Sequence, residues 1–240
     1  MTQSSVVLIC GLLTVSSVAL AQNNGGGVSL EQTRVIFSAG DKGQTVAAKN
    51  TDSRSYLLQA QVQNSLEDIT PAPFIVTPPL SLLKGNSRQL LRILPPDAKL
   101  PNDRESLFYL SVAVVPSQSE PMVGSDRLSV GVRFLVKLFY RPEGLSPSAD
   151  SVPCQLIFNR VAQGVRVSNP TPYFQTLGEL TFNGRNAVLE PTQSMVAPQD
   201  SHIITVKGLG DQLSWKTITD YGVLSQSCQQ TLSVPQETTR

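Results

Sequence analysis

Histidine is almost missing from this 240-residue chain, and His202 is the only one. A histidine-based nucleophile system needs an imidazole beside a hydroxyl or thiol, with an acid to orient it. No nucleophile elbow or comparable motif accompanies His202, which reads as a partly exposed strand-edge residue. The paired acids Glu67 and Asp68 sit in a polar turn and read as solvated. The sequence has no glycine-rich phosphate loop and no cluster with metal-ligand spacing, so neither a cofactor nor a metal is expected. The formal net charge is +1, which excludes the electrostatic footprint of a nucleic-acid or anionic-surface binder. Beyond the N-terminus no run is long and apolar enough to span a bilayer, so no membrane insertion is expected. What remains is a protein that is not an enzyme and works through its surfaces.

Cysteine is also scarce, at three residues. Val6 to Leu20 is mostly apolar and small, no charge precedes Glu31, and Ala19-Leu20-Ala21 has the small-x-small form of a cleavage site. Residues 1–21 therefore read as a signal peptide that carries Cys10 away. In an oxidising compartment the remaining pair, Cys154 and Cys228, reads as a disulfide. It would tie the opening of a second domain to its last strand, for roughly 3–5 kcal/mol on the chain-entropy model. Trp215, the single tryptophan, reads as core.

Removing 21 of 240 residues leaves 219, which suits two sandwich domains of about 100 residues each. No helical period is sustained. Short strands are expected at 28–37, 45–49, 56–63, 89–94, 107–115 and 128–141, with 74–79 extended by its prolines. Clusters such as Lys84-Gly-Asn-Ser and Pro95-Pro-Asp punctuate them. The stretch from Pro142 to Asp150 reads as a linker. Further strands are expected at 154–159, 164–169, 175–182, 186–189, 202–206, 212–218 and 226–234. The domains are thus 22–142 and 143–240.

The run Leu128 to Pro142 is the most informative. Leu128, Val130, Val132, Phe134 and Val136 fall on alternate positions, which is strand periodicity with one apolar face. Ser129, Gly131, Arg133 and Lys137 take the other face. Such a row either closes its own core or is offered to another protein's incomplete one.

Several segments together resemble the periplasmic PapD-like chaperones of the chaperone–usher pilus pathway. They are Val28 to Phe37, Phe74-Ile-Val-Thr-Pro-Pro-Leu with Arg88 to Ile93, Leu100 to Tyr109, Lys137-Leu-Phe-Tyr-Arg-Pro142, Asn169-Pro-Thr-Pro-Tyr173 and Asp220-Tyr-Gly222. Their order and spacing run almost end to end. Ser111 departs from the pattern, standing where the family usually has asparagine. The resemblance implies an all-β fold: two immunoglobulin-like β-sandwich domains in a boomerang arrangement with an interdomain cleft. It implies a periplasmic protein whose clients are pilus or fimbrial subunits and whose further partner is an outer-membrane usher. It leaves self-association of the free protein open.

By the same resemblance, Arg34 and Lys137 match the cleft pair that binds the client's terminal carboxylate. Leu128, Val130 and Val132 match the donor strand, and Phe134 either extends that row or belongs to the domain's own core. Glu105, Arg141 and Asp220 match an interdomain salt-bridge network. The short connection from Pro116 to Asp126, without cysteines, resembles the short-loop branch of the family. A pilus subunit, the rival reading, would need an apolar donor extension near the mature N-terminus. Residues 22–27 (Gln-Asn-Asn-Gly-Gly-Gly) cannot supply one.

Overall fold

The computed structural model describes residues 26–117, 130–206 and 210–232. Leu128, the segment 1–21 and residues 118–126 lie outside them. The first part of the chain forms β1 (Val28–Leu30), β2 (Arg34–Ser38), β3 (Gln44–Asn50), β4 (Tyr56–Gln63), β5 (Val76–Thr77), β6 (Leu80–Leu83), β7 (Arg88–Ile93), β8 (Ser106–Pro116) and β9 (Val132–Arg141). These make two facing sheets, ordered β1-β3-β7-β5 and β2-β9-β8-β4-β6. Alternation builds the core between them. In β4, Tyr56, Leu58, Ala60 and Val62 are buried while Leu57 and Gln59 are exposed. Phe37, Leu91, Leu110 and Leu138 complete the centre of that core and are inaccessible to solvent.

The second part forms β10 (Ile157–Val161), β11 (Gly164–Asn169), β12 (Gln175–Phe182), β13 (Arg185–Asn186), β14 (Met195–Val196), β15 (Asp200–Thr205), β16 (Gln212–Thr217) and β17 (Cys228–Thr231). One sheet runs β10-β11-β15; the other runs β13-β12-β16-β17, with β14 also on β12. A second core lies between them around Phe158, Leu180 and Ile204. Trp215 is buried there, its ring 4.8 Å from Phe158, with its indole N–H donating to the Pro153 carbonyl. A disulfide joins Cys154 to Cys228, pinning the segment before β10 to the outer strand β17. The architecture is two all-β sandwiches.

Some expected strands divide or shrink. The stretch 28–37 reads as one strand but serves both sheets: β1 pairs antiparallel with β3, and β2 pairs parallel with β9. The crossing is held by Ala47, whose carbonyl accepts from Glu31 N–H and whose N–H donates to Gln32 Oε1. β6 lies where no strand is expected, yet it pairs with β4 just after Pro78 and Pro79. Of 186–189 only Asn186 is in a strand.

Candidate functional site: an open strand edge and a two-cation cleft

β9 is the last strand of the first sandwich, and its two sides are covered unequally. β8 pairs with it from Val132 to Tyr140. On its other side β2 covers only Lys137 to Arg141. From Val132 to Val136 that edge has no strand neighbour among the described residues. The apolar row follows the same gradient. Val130 is 63% exposed and Val132 52%, Phe134 packs partly against the core, and Val136 is buried. An unpaired edge bearing exposed branched side chains is a template for a further strand.

Where β2 begins, Arg34 is the register partner of Lys137. Directly opposed partners share a face of the sheet, so two cations stand side by side. Neither belongs to an ion pair among the described residues. Arg34 Nη1 donates to the Ile218 carbonyl at 3.2 Å, its guanidinium lies 5.9 Å from the centre of the Phe139 ring, and its buried Nε has no partner. Burial pulls the Lys137 ammonium below the usual lysine range, and the Arg34 charge adds to that. Burial likewise lowers Arg34, partly offset by Asp220 and Glu105. Two half-buried like charges with free donors form a ready site for an anion. A carboxylate suits it, taking a guanidinium and an ammonium together.

Beside the pair, Arg141 joins the two domains. Its Nε donates to Glu105 Oε1 at 2.8 Å, and Nη1 and Nη2 donate to the two carboxylate oxygens of Asp220 at 2.6 and 2.8 Å. Glu105 is buried, and its Oε2 accepts from Phe174 N–H at 2.8 Å. Its own N–H donates to the Pro172 carbonyl. The Asn169-Pro-Thr-Pro-Tyr173 segment carries the Pro172 carbonyl and leads directly into Phe174. Buried Asn169 donates to the Tyr173 and Ala197 carbonyls and accepts from Thr171, and the Tyr173 hydroxyl donates to the Pro147 carbonyl. Burial pushes the Glu105 carboxyl up, against the pull of Arg141 and Phe174 N–H. Burial also disfavours the Arg141 cation, but its bonds to Asp220 and the Glu105 charge outweigh that and hold its pKa above normal.

Arg34, Glu105, Arg141 and Asp220 line one cleft of about 310 Å³, with Phe139 and Ile218 among its apolar walls. The anchor and salt-bridge sets thus meet on β2, β8, β9 and the turn after β16, with Lys137 beside Arg34 but outside the cleft lining, while the donor row runs away from them toward the start of β9. Leu128 alone falls outside the described residues. Sequence reading missed Ile218, Phe139 and Phe174. Two of these act through backbone atoms, which leave no residue-type signal.

Residues 27–146 match the family model for the pili and flagellar-assembly chaperone, PapD N-terminal domain, and residues 151–229 match that for the pili assembly chaperone PapD, C-terminal domain. Chaperone protein FimC of Escherichia coli K12 is 37% identical over 221 residues, covering 91% of this chain and 90% of its own. Among solved structures, a chain of the Salmonella enterica SafA pilin–SafB chaperone complex superposes with a TM-score of 0.76 at 30% identity, covering 86% of this chain and 96% of that one. The E. coli chaperone DraB gives 0.76 at 31% identity, covering 87% and 97%.

Proposed function

Since this chain belongs to the PapD-like family of pilus-assembly chaperones, whose members are not enzymes, we propose that it caps pilus subunits in the periplasm by donating β9 to their unfinished sandwich. The single observation that carries this reading is the edge of Val132 to Val136, which has no strand neighbour among the described residues and ends at two cations that join no ion pair among them. An incomplete sandwich exposes a groove and two unpaired edges. A donated strand meets those edges with main-chain hydrogen bonds and fills the groove with alternate side chains, here Leu128, Val130, Val132 and Phe134. The client's terminal carboxylate sits on Arg34 and Lys137. That contact sets the register, because a one-residue slip would turn the apolar row away from the groove. A client strand lying along Val136 to Val132 with its carboxylate at Lys137 runs parallel to β9. It meets β2 end to end.

Glu105, Arg141 and Asp220 hold the domains around this cleft, with the boundary near Pro142. Delivery to an outer-membrane usher needs a face that the client leaves free. The register partners Leu82, Leu57 and Val115, exposed at 51%, 41% and 44%, form an apolar row on the outer side of β6, β4 and β8 and suit that role. The test of the reading is recovery of subunit complexes. Arg34→Ala and Lys137→Ala should each fold normally and abolish co-purification with a pilus subunit. Wild-type recovery by both would rule out the carboxylate anchor.

A further inference from the structure

The anion-binding guanidinium belongs to the first domain, but the atom that orients it belongs to the second. Arg34 Nη1 donates to the carbonyl of Ile218, just past β16. That carbonyl is held by a dense set of local bonds. Ile218 N–H donates to the Thr176 carbonyl, Thr219 N–H to Val223, and Gly222 N–H back to Thr219. Two residues beyond Ile218, Asp220 is clamped by Arg141.

The turn also touches the first domain directly, at the residue before Arg34. Gly222 has φ of +78°, and a Cβ placed on it would lie 2.5 Å from Thr33 Oγ1. The left-handed conformation favours glycine, and the close approach admits no side chain while the Thr33 hydroxyl keeps this rotamer. Phe139, over which Arg34 lies, packs in turn on Phe174 of the second domain at 5.6 Å between ring centres.

We propose that Gly222 is a positioning residue for the anion site: by letting the Ile218–Gly222 turn seat against Thr33, it places the Ile218 carbonyl where it fixes the Arg34 guanidinium. The inference rests on the carboxylate-anchor reading. It makes the anchor a two-domain site, so binding a carboxylate and seating the second domain favour each other reciprocally.

The test uses the full chain labelled with ¹⁵N-arginine. The Arg34 Nε–Hε signal is assigned by its loss in Arg34→Lys and followed during titration with sodium acetate. In the wild type the signal should shift saturably. Gly222→Ala should weaken acetate binding about tenfold, the factor that about 1.4 kcal/mol represents, with circular dichroism unchanged. Thr33→Ala removes the hydroxyl that the new methyl meets. Alone it should bind acetate as wild type does, and combined with Gly222→Ala it should restore affinity to within about threefold, since the clash is gone and the left-handed strain on alanine is common to the free and acetate-bound protein.

Two results overturn the proposal: wild-type binding by Gly222→Ala, or a double variant no better than Gly222→Ala. A purely structural glycine would give the second, because its strain persists in both. Absence of any acetate shift in the wild type instead refutes the anchor reading itself.

Discussion

In the second domain β10 is an outer strand, and Gln230 on β17 meets the backbone of buried Phe158. The Gln230 amide accepts from Phe158 N–H and donates to Phe158 C=O, taking the place of a neighbouring strand. The disulfide then holds β17 against the start of the same domain. In the first domain no such group among the described residues meets β9 between Val132 and Val136, and Val130 and Val132 stay exposed beside the gap. One sandwich blunts its edge, and the other leaves an edge unpaired among the described residues. An open edge invites aggregation unless it has a partner. That contrast separates structural from functional residues more sharply than burial alone does.

The largest stability loss should come from the seam between the domains. Glu105→Ala leaves Arg141 and Phe174 N–H short of a partner in a buried site, at a cost of about 3–5 kcal/mol in denaturant unfolding. Reducing the disulfide should cost about 4 kcal/mol for its 74-residue separation, with the loss confined to the second domain's transition. Next comes Gln230→Ala, which unblocks the edge of β10. It should cost about 1 kcal/mol, read as a shifted denaturation midpoint, and raise the rate of self-association.

Lys137 provides a pH test of the open side. Its folded pKa lies below the unfolded value of 10.5, so the unfolded chain holds the proton over a higher range. Stability should therefore rise with pH from the depressed folded value up to 10.5, and fall away as pH drops through that folded value. Lys137→Met should flatten this segment of the profile. Client affinity should move oppositely, weakening as Lys137 loses its charge. The smallest stability effect belongs to the donor row. Val132→Asp should change the free protein by within about 0.5 kcal/mol, because the side chain is exposed, while recovery of subunit complexes is lost.

Much of this was legible in the sequence where periodicity and tertiary environment agree. The alternation of β9 is visible from Leu128 onward, and the residues of the cleft follow from the resemblance carried by Lys137 to Pro142 and Asp220 to Gly222. What alternation cannot show is which neighbour a strand chooses. Val28 to Phe37 reads as continuous because no glycine or proline interrupts it, yet Ala47 draws Glu31 and Gln32 aside and splits it between sheets. β6 is concealed by the two prolines before it. The Ile218 carbonyl, which orients Arg34, is invisible for a simpler reason: every residue has a carbonyl, and only the fold decides where it points.

The most direct test of the donated edge is hydrogen–deuterium exchange over residues 130–136, measured on the free protein and on its complex with a pilus subunit. Strong protection of this segment in the complex, weakened by Arg34→Ala, is the expected result. Equal exchange in both states would contradict strand donation by β9.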